Sequence, residues 1–145
     1  MALVLVVDDE AQVRQLLGQA IRRAGHDLLE ADSSDAALNV MARTPADVVF
    51  TDIQMPGRDG RWLTIELRKR YPMTAIVLAT SVGDLSPTIT MRFGVLSYLV
   101  KPFDLDGVLQ ALAAAVQWHG QAVATGVHAV EAEQLEKWLD SLEIL

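Results

Sequence analysis

The 145-residue chain contains no cysteine, which removes disulfides, thiol nucleophiles and cysteine-ligated zinc from consideration and leaves the redox compartment open. Basic residues are few. Twelve Lys and Arg stand against nineteen Asp and Glu, a net charge of -7 with a pI near 4.8, which argues against a binder of phosphate backbones and so against nucleic acid as a direct partner. Long apolar runs are also missing. The opening MALVLVVDDE has no basic flank and no small-residue cleavage site, and it meets carboxylates after seven residues, so the expectation is a cytoplasmic protein that neither spans a membrane nor carries a secretory leader. The three histidines, His26, His119 and His128, have no mutual metal-ligand spacing and are assigned no role. What is present is 51% hydrophobic and 21% charged sequence, enough for one compact core at roughly 100–200 residues per domain.

The charge is uneven. Residues 121–145 hold one basic and five acidic side chains, and so more than half of the net charge. Ahead of them, Leu3 to Val7 is a short Val-rich run of the kind buried on both faces of a parallel sheet, and Val48 to Thr51, Ala75 to Ala79 and Ser97 to Val100 resemble it. Asp27 to Ala31 is half polar and fits an edge strand. Helical spacing lies between the runs: Val13, Leu16, Leu17, Ala20 and Ile21 before Gly25, then Ser34 to Met41, Arg61 to Arg70 ahead of Tyr71-Pro72, and Leu105, Val108, Leu109, Leu112 and Val116. A short helix is expected from Ser86-Pro87 to Gly94. Alternating strands and helices joined by right-handed crossovers predict an α/β, doubly wound parallel sheet of five strands with five helices. HGQAVATGVH reads as a linker, and Ala132, Leu135, Trp138, Leu139, Leu142 and Leu145 recur at three- and four-residue spacing as the apolar face of an acidic amphipathic helix. The expected division is therefore 1–118 as the domain, 119–128 as linker and 129–145 as C-terminal helix.

In an open parallel sheet the site forms beyond the carboxyl ends of the strands. Asp8 and Asp9 follow the first run, Asp52 the third, Thr80 and Ser81 the fourth and Lys101 the fifth, so all converge on one rim. Three carboxylates brought together call for a hard cation, and Mg²⁺, which keeps several waters and uses a few carboxylates, suits them better than a closed Ca²⁺ cage. Singly, each residue has a plainer reading: Asp8-Asp9 as a solvated turn or helix cap, Thr80 as a strand-end hydroxyl, Lys101 as a snorkelling lysine. Trp62 and Trp118 read as aromatics packed on neighbours or on the rim of the core.

The order of the pieces carries more. VVFTDIQMPGRDG places an aspartate at a strand end before Met55-Pro56-Gly57 and Asp59-Gly60, a later strand ends in a hydroxyl, and another ends in Lys101-Pro102-Phe103. From Leu3 to about Trp118 the chain resembles the receiver domains of two-component response regulators. That resemblance implies a flavodoxin-like sheet of strand order 2-1-3-4-5. It implies Asp52 as the acceptor of a phosphoryl group from the phosphohistidine of a histidine kinase or phosphotransfer protein. Asp9, Asp8 and Asp52, with the backbone carbonyl of Gln54, would bind Mg²⁺. Thr80 and Lys101 would contact phosphoryl oxygens, the Lys101-Pro102 bond would be cis, and Tyr98 would act as a switch aromatic. The implied output is altered binding of a downstream protein partner.

The sequence departs from the family near Arg92-Phe93-Gly94, where the interval to Lys101 is slightly short, and at Val95, where alanine is usual; both fall on the face that usually carries output. Two other functions compete: a receiver-like interaction module that needs no phosphorylation, and a Mg²⁺-dependent hydrolase of small phosphates. Against the second, such enzymes usually carry an aspartate two residues after the nucleophile, and here Gln54 stands there. The apolar stripe of the tail has three ways to be covered: packing on its own domain, a homodimer, or the rest of a longer chain, with the homodimer preferred.

Overall fold

A computed structural model of the chain describes residues 1–80 and 95–126, with the backbone alone for Thr80, 95–98 and Val100. Five parallel strands, β1 (Leu3–Val7), β2 (Asp27–Ala31), β3 (Val48–Asp52), β4 (Ala75–Thr80) and β5 (Val95–Val100), form one sheet in the order β2-β1-β3-β4-β5. The half-polar run is indeed at an edge, as β2. Four helices lie among the described residues: α1 (Ala11–Arg23), α2 (Ser34–Arg43), α3 (Gly60–Arg70) and α4 (Leu105–Thr125). The short helix expected at Ser86 to Gly94 and the amphipathic helix of 129–145 lie outside them.

Strand residues alternate between two cores because successive side chains point to opposite faces of the sheet. Leu5, Val7, Val49, Ile76 and Leu78 pack against Ala37, Met41, Leu63 and Leu67, on the side of α2 and α3. Val4, Val6, Phe50 and Val77 pack against Leu17, Ile21, Val108 and Leu112, on the side of α1 and α4. This two-faced burial explains why β1, β3 and β4 read as continuous apolar runs rather than alternating ones.

Three of the four described helices, α2, α3 and α4, start at a side-chain cap. Ser33 Oγ accepts from Ala36 N at 3.1 Å, Asp59 Oδ1 from Trp62 N at 3.0 Å and Asp104 Oδ1 from Gly107 N at 2.7 Å, each satisfying a backbone donor that the first helical turn leaves free. One boundary corrects the sequence reading. Residues 119–125, expected as the start of a linker, continue α4, which ends only at Gly126 in the left-handed region at φ 70°. The two glycines suggested a break, but Gly120 sits inside the helix, at the modest cost of about 1 kcal/mol that an interior glycine carries, and Ala122 and His119 anchor this last stretch to the domain. Ala122 is buried. His119 lies 3.1 Å from Asp47 Oδ1 and 2.7 Å from the Met73 carbonyl.

The end of the sheet opposite the strand carboxyl ends is pinned by polar side chains. His26 Nδ1 accepts from Ala2 N and Asp47 Oδ2 from Leu3 N, both at 2.9 Å. Arg68 is buried, donates to the carbonyls of Pro72 and Thr74, and lies 5.8 Å from the centre of the Trp118 ring. Burial lowers its pKa to about 10, so the guanidinium stays charged at neutral pH and its hydrogen bonds to carbonyls offset the lost hydration. Arg68→Ala leaves those carbonyls without their donor and empties the space beside Trp118. A loss of about 2–4 kcal/mol is expected, measured as a lower urea midpoint with unchanged slope.

Candidate functional site

The site lies where β1, β3 and β5 end. Asp8 follows Val7, and its buried backbone N–H donates to Ala31 O at 3.1 Å, which holds the turn out of β1 against β2. Its Oδ1 accepts from Glu10 N at 2.9 Å, and its carbonyl accepts from Arg14 Nη1 at 2.6 Å. The aspartate thus shapes the first turn leading into α1, while Asp9 and Glu10 remain exposed beside it.

Asp52 ends β3 with 4% of its surface exposed. Its neighbour in the ladder is Ala79, and Ile53 N donates to Ala79 O at 3.0 Å. Asp52 Oδ1 accepts from Gln54 N at 3.1 Å and Oδ2 from Lys101 Nζ at 3.0 Å. After Met55-Pro56-Gly57 the chain returns so closely that a Cβ on Gly60 would collide with the Asp52 carbonyl, and Gly60 N donates to Ile53 O at 2.9 Å. Glycine is therefore required there by space rather than by dihedral angle. Trp62 packs on the core, with the Arg58 guanidinium stacked over its ring at 4.4 Å.

Lys101 follows β5, and its bond to Pro102 is cis, as the resemblance implied. The ammonium lies 2.9 Å from Asp8 Oδ2, 3.0 Å from Asp52 Oδ2 and 3.6 Å from Glu10 Oε1. Apart from its ion pair with Lys101, the buried Asp8 Oδ2 has no hydrogen-bond partner and keeps acceptor capacity. Burial works to lower the Lys101 pKa, yet the contacts to Asp8 and Asp52 outweigh it and the net direction is upward. For Asp52 burial dominates and raises the pKa, against the opposing pull of Lys101 and the Gln54 N–H.

Asp8, Asp9, Glu10 and Asp52 can bring one carboxylate oxygen each to within 4.8 Å of one another. Four acids against one ammonium leave excess negative charge, and an all-oxygen donor set with an unused buried acceptor fits a hard divalent cation. Of the residues expected from sequence, Asp8, Asp9, Asp52 and Lys101 meet here. The backbone of Gln54 adjoins them, and its N–H is hydrogen bonded to Asp52. Thr80 is the last residue of β4, paired with Val100, and Tyr98 pairs with Leu78; the Thr80 hydroxyl and the Tyr98 ring lie outside the described part of the structure. Glu10 was not anticipated, although it directly follows the acidic pair. Neither was Arg14, whose spacing of six residues from Asp8 gave no motif.

Because burial raises the Asp52 pKa above its ordinary 3.8, the folded state holds that proton more tightly than the unfolded chain does. Ionised Asp52 therefore lowers stability as pH rises from below 3.8 through the folded-state pKa, and the cost persists at neutral pH. Without divalent cation, Asp52→Asn is expected to be more stable than wild type at pH 7, with the gap closing towards pH 3. Urea unfolding across that range checks the sign.

Residues 4–113 match the family described as the response regulator receiver domain. The chain is 38% identical over 113 residues to the response regulator protein FleR of Pseudomonas aeruginosa, covering 77% of this chain and 24% of that protein. It is 34% identical over 105 residues to the DNA-binding transcriptional regulator NtrC of Escherichia coli, covering 72% and 22%. The chain thus spans about a quarter of the length of these curated relatives. Among solved structures, the receiver domain of NtrX from Brucella abortus superimposes with a TM-score of 0.72 at 29% identity, over 79% of this chain and 98% of that one. Strand order, carboxylate cluster and strand-end lysine are thus accompanied by a family match over most of the chain: it belongs to the response regulator receiver domains.

Proposed function

We propose that this chain accepts a phosphoryl group on Asp52 from the phosphohistidine of a histidine kinase or phosphotransfer protein, in a Mg²⁺-dependent reaction, and thereby changes its binding to a downstream protein. The observation that carries this reading is the buried Asp52 carboxylate, fixed through both oxygens by Gln54 N and Lys101 Nζ within a cluster of three further acids.

Asp8, Asp9 and Asp52, with the Gln54 carbonyl, would hold Mg²⁺, and the exposed Glu10 borders the same space. When bound, the ion would neutralise charge shared between the carboxylates and an incoming phosphoryl group. The remaining work belongs to the chain. An Asp52 carboxylate oxygen attacks phosphorus, the P–N bond to the donor imidazole breaks, and its electron pair stays on the ring nitrogen, which takes up a proton. The product is an acyl phosphate. Lys101 Nζ, already 3.0 Å from Asp52 Oδ2, is within reach of an oxygen of the group carried there, and a point charge suffices because no bidentate fork is needed. The Thr80 hydroxyl takes a second phosphoryl oxygen, and Tyr98 follows Thr80 as the switch aromatic. Water attack on phosphorus later returns phosphate and the free carboxylate. The proposed setting is cytoplasmic; among the described residues no helix is long and apolar enough to cross a membrane.

Incubation with acetyl phosphate and Mg²⁺ is expected to add one phosphoryl group by intact mass. Asp52→Asn and chelation of the metal should each reduce uptake by at least about a hundredfold, since loss of a nucleophile or of the main charge-neutralising group costs several kcal/mol at the transition state. Equal uptake by wild type and Asp52→Asn contradicts the reading.

A further inference from the structure

Helix α1 starts differently from the other three described helices: Glu10 stands at its N-cap position with no side-chain bond to the first turn. Its entry is held in another way. Arg14, one turn into the helix, reaches back past the helix start and donates from Nη1 to the Asp8 carbonyl at 2.6 Å, while Glu10 N donates to Asp8 Oδ1 at 2.9 Å. Nε of the same guanidinium lies 3.6 Å from Glu30 Oε1 on the edge strand β2, and the Arg14 side chain is 21% exposed.

These two hydrogen bonds fall on the two peptide groups that flank Asp9. A peptide group is planar, so a bond that fixes its carbonyl or its N–H fixes the whole plane. Arg14 sets the plane between Asp8 and Asp9, and Glu10 N sets the plane between Asp9 and Glu10. With both planes set, the Asp9 backbone has little freedom left, and the direction in which its side chain leaves the turn is determined. Asp9 is exposed, so burial does not place it. Asp8 is held independently, because it is buried and its N–H donates to Ala31 O at 3.1 Å. The bond from Arg14 runs to a backbone carbonyl and not to a carboxylate oxygen, so it braces the turn without consuming an acceptor that a cation needs.

We propose that Arg14 is a positioning residue for the divalent cation: by fixing the Asp8–Asp9 peptide plane it aims the Asp9 carboxylate into the space shared with Asp8 and Asp52. This role presupposes that the acidic cluster binds Mg²⁺, as in the function proposed above. Charge alone gives Arg14 the opposite effect, since a guanidinium beside the cluster repels a cation. Groups that orient metal ligands from outside are worth about 10–100-fold in affinity, and a charge-assisted bond to the carbonyl is of the stronger kind.

Mg²⁺ affinity by isothermal titration calorimetry, on the full chain shown to be folded by circular dichroism, tests this. Arg14→Ala and Arg14→Met both delete the donor and the charge. Methionine keeps most of the apolar stem and decides the matter where the alanine variant fails to fold. Each is expected to bind Mg²⁺ at least about tenfold more weakly than wild type, and Arg14→Lys, which keeps a donor and the charge, is expected to recover most of the loss. The sign separates positioning from charge, because losing a nearby positive charge by itself tightens cation binding. Unchanged or tighter binding by Arg14→Met overturns the proposal, as does a loss in Arg14→Lys as large as that in Arg14→Met. Phosphoryl uptake from acetyl phosphate is followed in parallel. Wild type that shows this Mg²⁺ pattern but takes up no phosphoryl group upholds the role of Arg14 and contradicts the phosphoacceptor reading alone. Uptake by wild type with no Mg²⁺ penalty in Arg14→Met contradicts the role of Arg14 alone, and absence of Mg²⁺ binding by wild type overturns both.

Discussion

The ammonium of Lys101, held between the carboxylates of Asp8 and Asp52, is the interaction on which the functional end of the fold depends. The two acids come from the ends of β1 and β3 and the lysine from the end of β5, so the contact requires three strands to be in register. Asp8 and Asp52 are both nearly buried, and a buried carboxylate survives only with compensation. Lys101 supplies the positive charge, while the N–H groups of Glu10 and Gln54 supply fixed dipoles at 2.9 and 3.1 Å. Even so, burial keeps the Asp52 pKa above its usual range. The site retains an uncompensated negative charge, and this is the property that suits it to a divalent cation.

The rest of the molecule bears on that contact through packing. The apolar strands β1, β3 and β4, covered on both faces, set the strand ends in one plane. The absence of a side chain on Gly60 lets the loop after Asp52 fold back onto it. At the opposite end of the sheet, Arg68, Asp47 and His119 tie the α3–β4 turn, the start of β3 and α4 together. Polar groups thus sit in two different settings at the two ends: carboxylates crowded around one ammonium at the first, and side chains anchored to backbone carbonyls at the other.

The strands themselves and most of the site were legible in the sequence because both depend on local pattern, whereas the strand order came from the family resemblance. Val-rich runs buried on two faces cannot be mistaken for amphipathic helices, and a residue directly after such a run has to lie on the carboxyl rim. Asp8, Asp9, Asp52 and Lys101 were found in this way. Glu10 was missed because its side chain enters the cluster only through the turn that Asp8 builds. Gly60 looked like ordinary turn chemistry, and its true constraint, contact with the Asp52 carbonyl, is tertiary. The extent of α4 was misjudged for a related reason: Gly120 and Gly126 look alike in sequence, but one is carried within a helix anchored by Ala122 and His119 while the other ends it. Arg68 gave no signal at all, since nothing local distinguishes a buried arginine on carbonyls from an exposed one.

The central claim is that the acidic cluster and Asp52 act together, with a divalent cation, on a phosphoryl group. Fluorine NMR of fluoroberyllate, a mimic of the phosphoryl group on a carboxylate, tests it most directly. Wild-type protein with Mg²⁺ should give bound fluorine resonances that vanish on chelation and are absent from Asp52→Ala. Bound resonances that persist without the metal, or that remain in Asp52→Ala, would contradict the account.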